Sequence, residues 1–344
     1  MSAAVRARWR VSALAWCVGL AAVAAPTVTA RQPAPVAPDV RSWHVQGNVW
    51  LINAGAVNVA IQVGDDGVLV VDTGTEAVSG RILAEIQRIA PDKVIRFIIN
   101  THAHADHVGG NVTIAKAGRS IISGNFVGQA GQGAANAAKI FAHENTLRRM
   151  SLADGKQPVA PQAAWPTDTF FINRSDVFFN GEAVQMLHQP HAHTDGDVMV
   201  YFRKSDVIVT GDVYINTTFP VINLQQGGSL NGFVLGLNRI IEITVPQHNQ
   251  EGGTYVIPGH GRIADEADVV EYYDMVTILR DRFRDAVNKG MTLAQVKAAR
   301  LVRDYEGRYG ATQGAWTTDA FVEAAFRSVS PGPASSEPVK AGGK

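Results

Sequence analysis

The segment from residue 102 to residue 107 reads His102-Ala103-His104-Ala105-Asp106-His107, and it places four potential metal ligands within six residues. It comes shortly after Val94–Ile99, an apolar run that predicts a buried strand. Because alternate side chains of an extended segment point the same way, His102 and His104 can face one metal ion while Asp106 and His107 turn towards a second. A solvated polar loop is the alternative, and so many ligands at a strand end argue against it. The pattern predicts a metal-binding loop.

Three further polar side chains follow later apolar runs. Asp212 comes after Val207–Val209, His260 comes after residues 255–257, and His193 lies in the polar segment His191-Ala192-His193-Thr194. Each residue is weak evidence alone, since a Gly-His turn is more often only a turn. Together they supply a ligand at one strand end after another, as a site for two ions requires.

Apolar patterning predicts a mixed fold. Short apolar runs that end at turns predict strands over Val49–Asn53, Asn58–Val63, Val68–Val71, Val94–Ile99, Glu182–Leu187, Val198–Phe202 and Val207–Val209. Helical spacing predicts helices over Glu76–Ala90, Leu230–Ile243 and Asp265–Val287, and a capping box at Thr292–Gln295 opens another. Strands and helices recur in two loosely similar halves. The sequence thus predicts an α/β (α+β) class with two sheets covered by helices.

Composition excludes several functions. The chain has 31 basic and 31 acidic residues, a balance that argues against a nucleic-acid partner. Its single cysteine, Cys17, rules out a disulfide scaffold and a cysteine-based metal cluster. Any metal site must therefore be built from His and Asp or Glu.

The first 30 residues have the layout of a secretory signal. Three arginines precede the apolar run Val11–Ala25, and small residues lead up to Ala30. The run is shorter than the roughly 20 residues that span a bilayer, although an uncleaved anchor is the alternative. Cleavage after Ala30 leaves 28 basic and 31 acidic residues, a net charge of −3. We expect a periplasmic or secreted protein with no stable membrane insertion.

The rest of the chain predicts one domain with trimmed ends. Residues 31–42 are rich in Pro, Ala and Val and predict an extended leader. Residues 328–344 are rich in Pro, Ser, Gly and Ala and predict a disordered tail. No low-complexity linker lies between them, so residues 43–327 are expected to form a single domain that includes the C-terminal helices.

The ligand pattern resembles the metallo-β-lactamase superfamily over roughly Asn48 to Gly261. The carrying residues are His102 to His107, His193, Asp212 and His260. This resemblance implies the metallo-β-lactamase fold, an αββα sandwich of two mixed β-sheets flanked by helices. It also implies two Zn²⁺ ions per chain.

The resemblance assigns a role to each matching position. It implies a first zinc site formed by His102, His104 and His193. It implies a second site formed by Asp106, His107 and His260, with Asp212 as the bridge. Asp72 matches a buried aspartate that orients the ligand loop without binding metal. His191 is the alternative to His193, which is preferred because Thr194 follows it, as a small hydroxyl residue does in the family.

The implied activity is that of an exported zinc-dependent hydrolase. A hydroxide that bridges the ions would attack the carbonyl of an ester, lactone or amide in a small-molecule substrate. Asp106 would orient this nucleophile and shuttle a proton. An iron-bound redox protein or a non-catalytic metal-binding protein is an alternative of another class.

Departures from the family bear on the substrate. True metallo-β-lactamases carry Cys or Ser where Asp212 stands, and one group has Arg in place of His107 and a carboxylate-anchoring Lys in place of Ile215. These positions weigh against a dedicated β-lactamase, which remains an alternative. Tyr214 could bond a substrate carbonyl, or it could pack under the loop.

Two segments are predicted to wall the substrate site. They are Gly124–Trp165, with Phe126, Phe141 and Trp165, and Thr217–Gly232. Because they hold few basic residues, a polyanionic substrate is disfavoured.

Overall fold

The computed structural model describes residues 39–120, 137–151, 160–250 and 252–330, and these residues belong to one unit that spans residues 37–344. The predicted signal peptide and the wall residue Phe126 lie outside the described residues. The same holds for residues 31–38 of the predicted leader and residues 331–344 of the predicted tail. Val40–Ser42, predicted as leader, belong to the first strand, and Ser328 and Val329, predicted as tail, belong to the last helix.

The first sheet has seven strands within the described residues, hydrogen-bonded in chain order. They are β1 (Val40–Gln46), β2 (Val49–Ala54), β3 (Val57–Gly64), β4 (Gly67–Val71), β5 (Ile95–Ile99), β6 (Lys139–His143) and β7 (Asp168–Phe170). Strands β1 to β4 pair antiparallel, and β4 to β7 pair parallel. The change follows from the connections: a tight turn joins β3 to β4, whereas a helix crosses over from β4 to β5.

The second sheet has five strands within the described residues, in the order β12-β11-β10-β9-β8. They are β8 (Arg174–Phe179), β9 (Glu182–His188), β10 (Val198–Phe202), β11 (Val207–Gly211) and β12 (Tyr255–Pro258). Strands β8 to β11 pair antiparallel, and β12 pairs parallel to β11. Both sheets are therefore mixed.

Helices cover the outer faces. They are α1 (Glu76–Ile89), α2 (Ala105–Val108), α3 (Asn111–Ala117), α4 (Glu144–Ser151), α5 (Leu230–Ile243), α6 (Glu266–Asn288), α7 (Leu293–Ala299), α8 (Glu306–Tyr309) and α9 (Thr318–Val329). Helix α7 begins at the predicted capping box, in which Thr292 and Gln295 satisfy each other's backbone N–H groups. Among the described residues, no helix combines the length and apolarity that crossing a bilayer requires.

Strand β4 shows how the layers are built. Leu69 and Val71 pack into the apolar cluster shared by the two sheets, whereas Val68 and Val70 pack into a second cluster with α1 and α3. Successive side chains of a strand point to opposite faces, so a strand buried on both faces must be apolar throughout. A third cluster joins the second sheet to α5, α6 and α9. The layers run helix, sheet, sheet, helix, which confirms the predicted fold class.

Candidate metal centre

The predicted ligands lie on loops that follow strands. His102 and His104 follow β5, and His107 lies on the short helix α2. In the second sheet, His193, Asp212 and His260 follow β9, β11 and β12. Side chains that follow the carboxyl ends of neighbouring strands lie at the same end of a sheet. The candidate ligands from both sheets therefore come together.

Three imidazoles form the first cluster. His104 Nδ1 lies 3.1 Å from His102 Nε2 and 2.8 Å from His193 Nε2. Nitrogens that share a tetrahedral metal ion at 2.0–2.1 Å are separated by about 3.3 Å, so these distances fit one ion. Burial lowers the pKa of His102 and lowers that of His104 to about 4. Both rings are therefore neutral at pH 7, the state in which a histidine binds metal.

Two imidazoles and two carboxylates form the second cluster. Asp212 Oδ1 lies 3.3 Å from His107 Nε2 and 3.4 Å from His260 Nε2, and Asp106 Oδ2 is also 3.4 Å from His260 Nε2. Asp212 Oδ1 is nevertheless buried without a hydrogen-bond partner among the described residues. Donor atoms that crowd a buried oxygen without bonding it fit a shared cation, so the residues present suit a metal ion.

Asp212 connects the clusters. Its Oδ2 lies 3.7 Å from His193 Nε2 and 4.0 Å from His102 Nε2, whereas its Oδ1 faces the second cluster. One carboxylate oxygen thus points to each cluster, the arrangement that a bridging ligand requires.

The second cluster attracts positive charge. Burial alone would raise the pKa of Asp106, but the hydrogen bond with His260 lowers it to about 2. Burial opposes ionisation of Asp212 as well, and His107 and His260 hold its pKa well below the ordinary value. The partner carboxylates in turn outweigh desolvation and raise the pKa of His260 to about 10. Two ionised carboxylates lie close together in the second cluster, and a divalent cation would neutralise their negative charge.

Hydrogen bonds join Asp72 to the loop that carries His102 to His107. Its carboxylate accepts hydrogen bonds from His107 Nδ1 at 2.7 Å, from the Thr101 N–H at 2.8 Å and from Thr101 Oγ1 at 2.7 Å. It is almost fully buried and does not point into either cluster. Because Asp72 holds the Nδ1 side of the His107 ring, its Nε2 atom faces the second cluster.

Sequence reasoning missed other contacts that fix the rings. Val221 O lies 2.6 Å from His193 Nδ1, and Ala56 O lies 2.7 Å from His260 Nδ1. Asn223 Nδ2 contacts His104 Nε2 at 2.9 Å. These partners come from distant loops and include backbone carbonyls, which leave no residue-type signal.

Asp197 was also missed, although it left a local signal. Its buried carboxylate accepts hydrogen bonds from the His193 N–H, the Thr194 N–H and Thr194 Oγ1. The acidic residue three positions after Thr194 marks a side chain that caps the turn, and this bond holds the His193 loop.

The two alternatives posed by the sequence have different outcomes. His193 joins the first cluster, whereas His191 is exposed and bonds Gly227 O at 3.0 Å. Tyr214 does not contact the site: it is 1% exposed, and its ring packs edge-on against Tyr272 in the core. The proposed substrate role of Tyr214 is wrong, because the residue turns beneath the loop while the next side chain, Ile215, lines the cavity.

A cavity of about 990 Å³ opens onto both clusters. The ligands His104, Asp106, His193, Asp212 and His260 form part of its wall. From the predicted wall Thr217–Gly232, the residues Thr217, Thr218 and Val221 line it. Phe141 and Trp165 do not line it; they pack in apolar clusters, and Trp165 bonds Ala160 O at 2.9 Å.

Two curated proteins are similar to this chain in sequence. The linear primary-alkylsulfatase of Pseudomonas sp. is 26% identical over 268 residues, which cover 66% of this chain and 46% of that protein. The 2,4-dinitroanisole O-demethylase subunit alpha of Nocardioides sp. is 28% identical over 220 residues, 61% of this chain and 58% of that protein. The chain thus spans about half the length of the curated relatives it matches.

Solved structures share the fold. A stereoselective inverting sec-alkylsulfatase from Pseudomonas sp. aligns with a TM-score of 0.60 at 15% identity, over 84% of this chain and 50% of that one. The DIM-1 metallo-beta-lactamase aligns with a TM-score of 0.51 at 16% identity, over 70% and 98%. A model of the metallo-beta-lactamase superfamily matches residues 45–234, more than half of the chain. The protein therefore belongs to the metallo-beta-lactamase superfamily.

Proposed function

We propose that the protein is an exported zinc-dependent hydrolase that cleaves a small ester, lactone or amide. The observation that carries the proposal is the convergence of five imidazoles and two carboxylates beside a cavity of about 990 Å³, with three of the imidazoles and both carboxylates in its wall. A cavity of this size accommodates a small molecule, and a substrate bound there would place its scissile bond beside the ligands.

The donor set supports zinc. Imidazole nitrogens and carboxylate oxygens are ligands that Zn²⁺ accepts in tetrahedral sites, and the first cluster has the spacing of such a site. His102, His104 and His193 would hold one ion, and Asp106, His107 and His260 the other. Asp212 would contribute to both. When bound, such ions supply Lewis-acid polarisation of a carbonyl oxygen and lower the pKa of water.

The residues of the chain have their own part in hydrolysis. Asp106 lines the cavity with its side chain 40% exposed, and its low pKa keeps it ionised. It therefore accepts a hydrogen bond from an incoming water and orients the oxygen towards the carbonyl carbon. The new C–O bond forms as the bond to the leaving oxygen or nitrogen breaks, and the proton of the water passes to that leaving atom.

Sulfate-ester hydrolysis is the second candidate. It is favoured by the similarity to the linear primary-alkylsulfatase, although this chain covers 46% of that protein. β-Lactam hydrolysis has less support, because Ile215 offers no charge at the cavity wall to a β-lactam carboxylate.

The test is a substrate panel on the purified full chain. It contains 4-nitrophenyl acetate, a γ-lactone, 4-nitrophenyl sulfate, decyl sulfate and nitrocefin, each assayed with EDTA and after Zn²⁺ is restored. We expect carbonyl-ester or lactone turnover that EDTA abolishes and Zn²⁺ recovers, and that Asp106→Asn lowers at least 100-fold. The control His191→Gln, outside the clusters, keeps full activity. Turnover unaffected by EDTA contradicts the proposal, and activity confined to the two sulfates replaces it with the second candidate.

Export is tested separately. Expression of the full chain in a Gram-negative host is followed by fractionation and intact-mass measurement. Cleavage near Ala30 with recovery from the periplasm supports export, whereas an uncleaved chain in the cytoplasmic fraction contradicts it.

A further inference from the structure

The cavity beside the candidate metal centre has an apolar wall that includes two tryptophans. The non-ligand part of its lining includes Trp43, Leu51, Ile215, Val221, Ile263 and Trp316. We infer that this wall is a subsite for an uncharged alkyl or aryl group attached to the scissile bond. The inference rests on the proposed hydrolase function and specifies its substrate class.

Trp43 is the accessible half of the pair. It lies on the edge strand β1, opposite Leu51 of β2, and 47% of its surface is exposed. A large exposed aromatic side chain beside a cavity is a contact surface that water solvates poorly. A ligand in the cavity would cover this ring.

Trp316 comes from the opposite end of the chain. It lies between α8 and α9 and packs against the apolar cluster of the second sheet. A hydrogen bond of 2.8 Å from the Thr318 N–H to Ala311 O closes the loop that carries it. Trp43 and Trp316 both fall outside residues 45–234, the part matched by the superfamily model. The wall thus combines residues of the segment that the superfamily model matches with residues that flank it.

The charges that line the cavity disfavour a substrate with an anionic group at the end remote from the scissile bond. Apart from the imidazoles and carboxylates of the two clusters, Arg262 is the charged side chain in the described lining. Its guanidinium forms two contacts with the Asp268 carboxylate, one of them a hydrogen bond of 2.8 Å to Oδ2. It also donates a hydrogen bond of 3.0 Å to Ile263 O. No unpaired cation of the described lining is left to anchor a carboxylate on the remote end of a substrate. Contact with this wall therefore favours apolar groups.

The size of the expected effect follows from burial. Each methylene transferred from water into an apolar site increases binding about fourfold. Across 4-nitrophenyl acetate, butyrate and hexanoate, we expect kcat/KM to rise about 10-fold or more per two added carbons until the wall is covered. An ester with a terminal carboxylate, mono-4-nitrophenyl succinate, should be at least 10-fold poorer than the butyrate.

Variants locate the effect. Trp43→Ala should flatten the chain-length series to less than threefold per two carbons. Trp316→Leu, which retains an apolar side chain, should flatten it less than Trp316→Ala does. The matched control is Phe178→Ala, since Phe178 is an aromatic residue on the edge strand β8 that is 77% exposed and outside the cavity lining. It should leave the series unchanged.

A binding measurement separates this inference from the hydrolase proposal. 4-Nitrotoluene is an uncharged nitroaromatic that quenches tryptophan emission, and it is titrated into the EDTA-treated full chain. The subsite is supported if quenching saturates and Trp43→Ala weakens the affinity for 4-nitrotoluene at least fivefold while Phe178→Ala leaves it unchanged. This result would support the subsite even if no ester is turned over. The inference is overturned by a flat chain-length series in an active enzyme, by a preference for the succinate ester, or by quenching that does not saturate.

Discussion

Replacing Asp72 with asparagine tests how far the metal centre depends on a residue that does not face the metal. Asp72 sits at φ 61°, a left-handed conformation that asparagine adopts more readily than other non-glycine residues. The substitution Asp72→Asn therefore keeps the backbone and the side-chain shape. It changes the charge and turns one acceptor oxygen into a donor.

The hydrogen bonds of the Asp72 carboxylate determine how large the effect of the substitution should be. Oδ1 accepts from the Thr101 N–H, and Oδ2 accepts from Thr101 Oγ1 and from His107 Nδ1. An amide has one oxygen, so its NH₂ group must face either the Thr101 N–H or His107 Nδ1. One buried donor is left unsatisfied, at a cost of about 1–3 kcal/mol in the free energy of unfolding. Loss of such a partner to a ligand histidine lowers metal affinity about 10–100-fold.

The assay measures Zn²⁺ affinity by competition with a chromophoric chelator and stability by urea unfolding of the metal-free chain. The control is Asp66→Asn, because Asp66 Oδ2 also accepts a backbone hydrogen bond, from the Asn180 N–H at 2.7 Å, in a turn away from the clusters. We expect weaker Zn²⁺ binding for Asp72→Asn only. Wild-type affinity in Asp72→Asn, or an equal loss in Asp66→Asn, would refute the reasoning.

Three other perturbations have defined outcomes. A Cβ at Gly259 would lie 2.0 Å from Asp212 Oδ1, so Gly259→Ala should lower Zn²⁺ content by at least half in a folded chain, and full loading would contradict this. Glu182 accepts four hydrogen bonds in a buried position, so Glu182→Ala should lower the free energy of unfolding by about 3–5 kcal/mol in urea titration, and a loss below 1 kcal/mol would contradict it. Burial, together with the stacked ring of His188, lowers the pKa of His143 to about 4, so the unfolded chain binds more protons between pH 6.5 and 4. Wild-type stability should thus fall with decreasing pH in this window, and His143→Phe should fall less steeply; parallel pH profiles would contradict the assignment.

Prediction of strands and helices succeeded where the apolar pattern is regular. The strand Val198–Phe202 and the helix Leu230–Ile243 match their predicted bounds, because a continuous apolar run or an apolar face at helical spacing records burial directly. Strands β1 and β8 were missed, since each is a sheet edge with mixed exposure and polar residues along its length. Their pairing depends on neighbouring strands that no local pattern records.

The candidate site likewise has a part that the sequence predicts and a part that it does not. The clustering of residues 102–107 could be predicted because four candidate ligands are close in sequence, and the resemblance linked them to His193, Asp212 and His260, which the structure brings beside them. The groups that orient the ligands were not predictable when they are backbone carbonyls, such as Val221 O and Ala56 O. Tyr214 was misassigned because spacing along the chain does not say which face of the loop a side chain takes.

Metal stoichiometry tests the central claim most directly. The full chain is equilibrated with Zn²⁺, dialysed and analysed by inductively coupled plasma mass spectrometry beside His193→Ala and His260→Ala. Two Zn²⁺ ions per wild-type chain and about one per chain in each variant are the predicted results. Fewer than one ion in the folded wild-type chain, or two ions retained in both variants, would contradict a dinuclear centre built from these seven side chains.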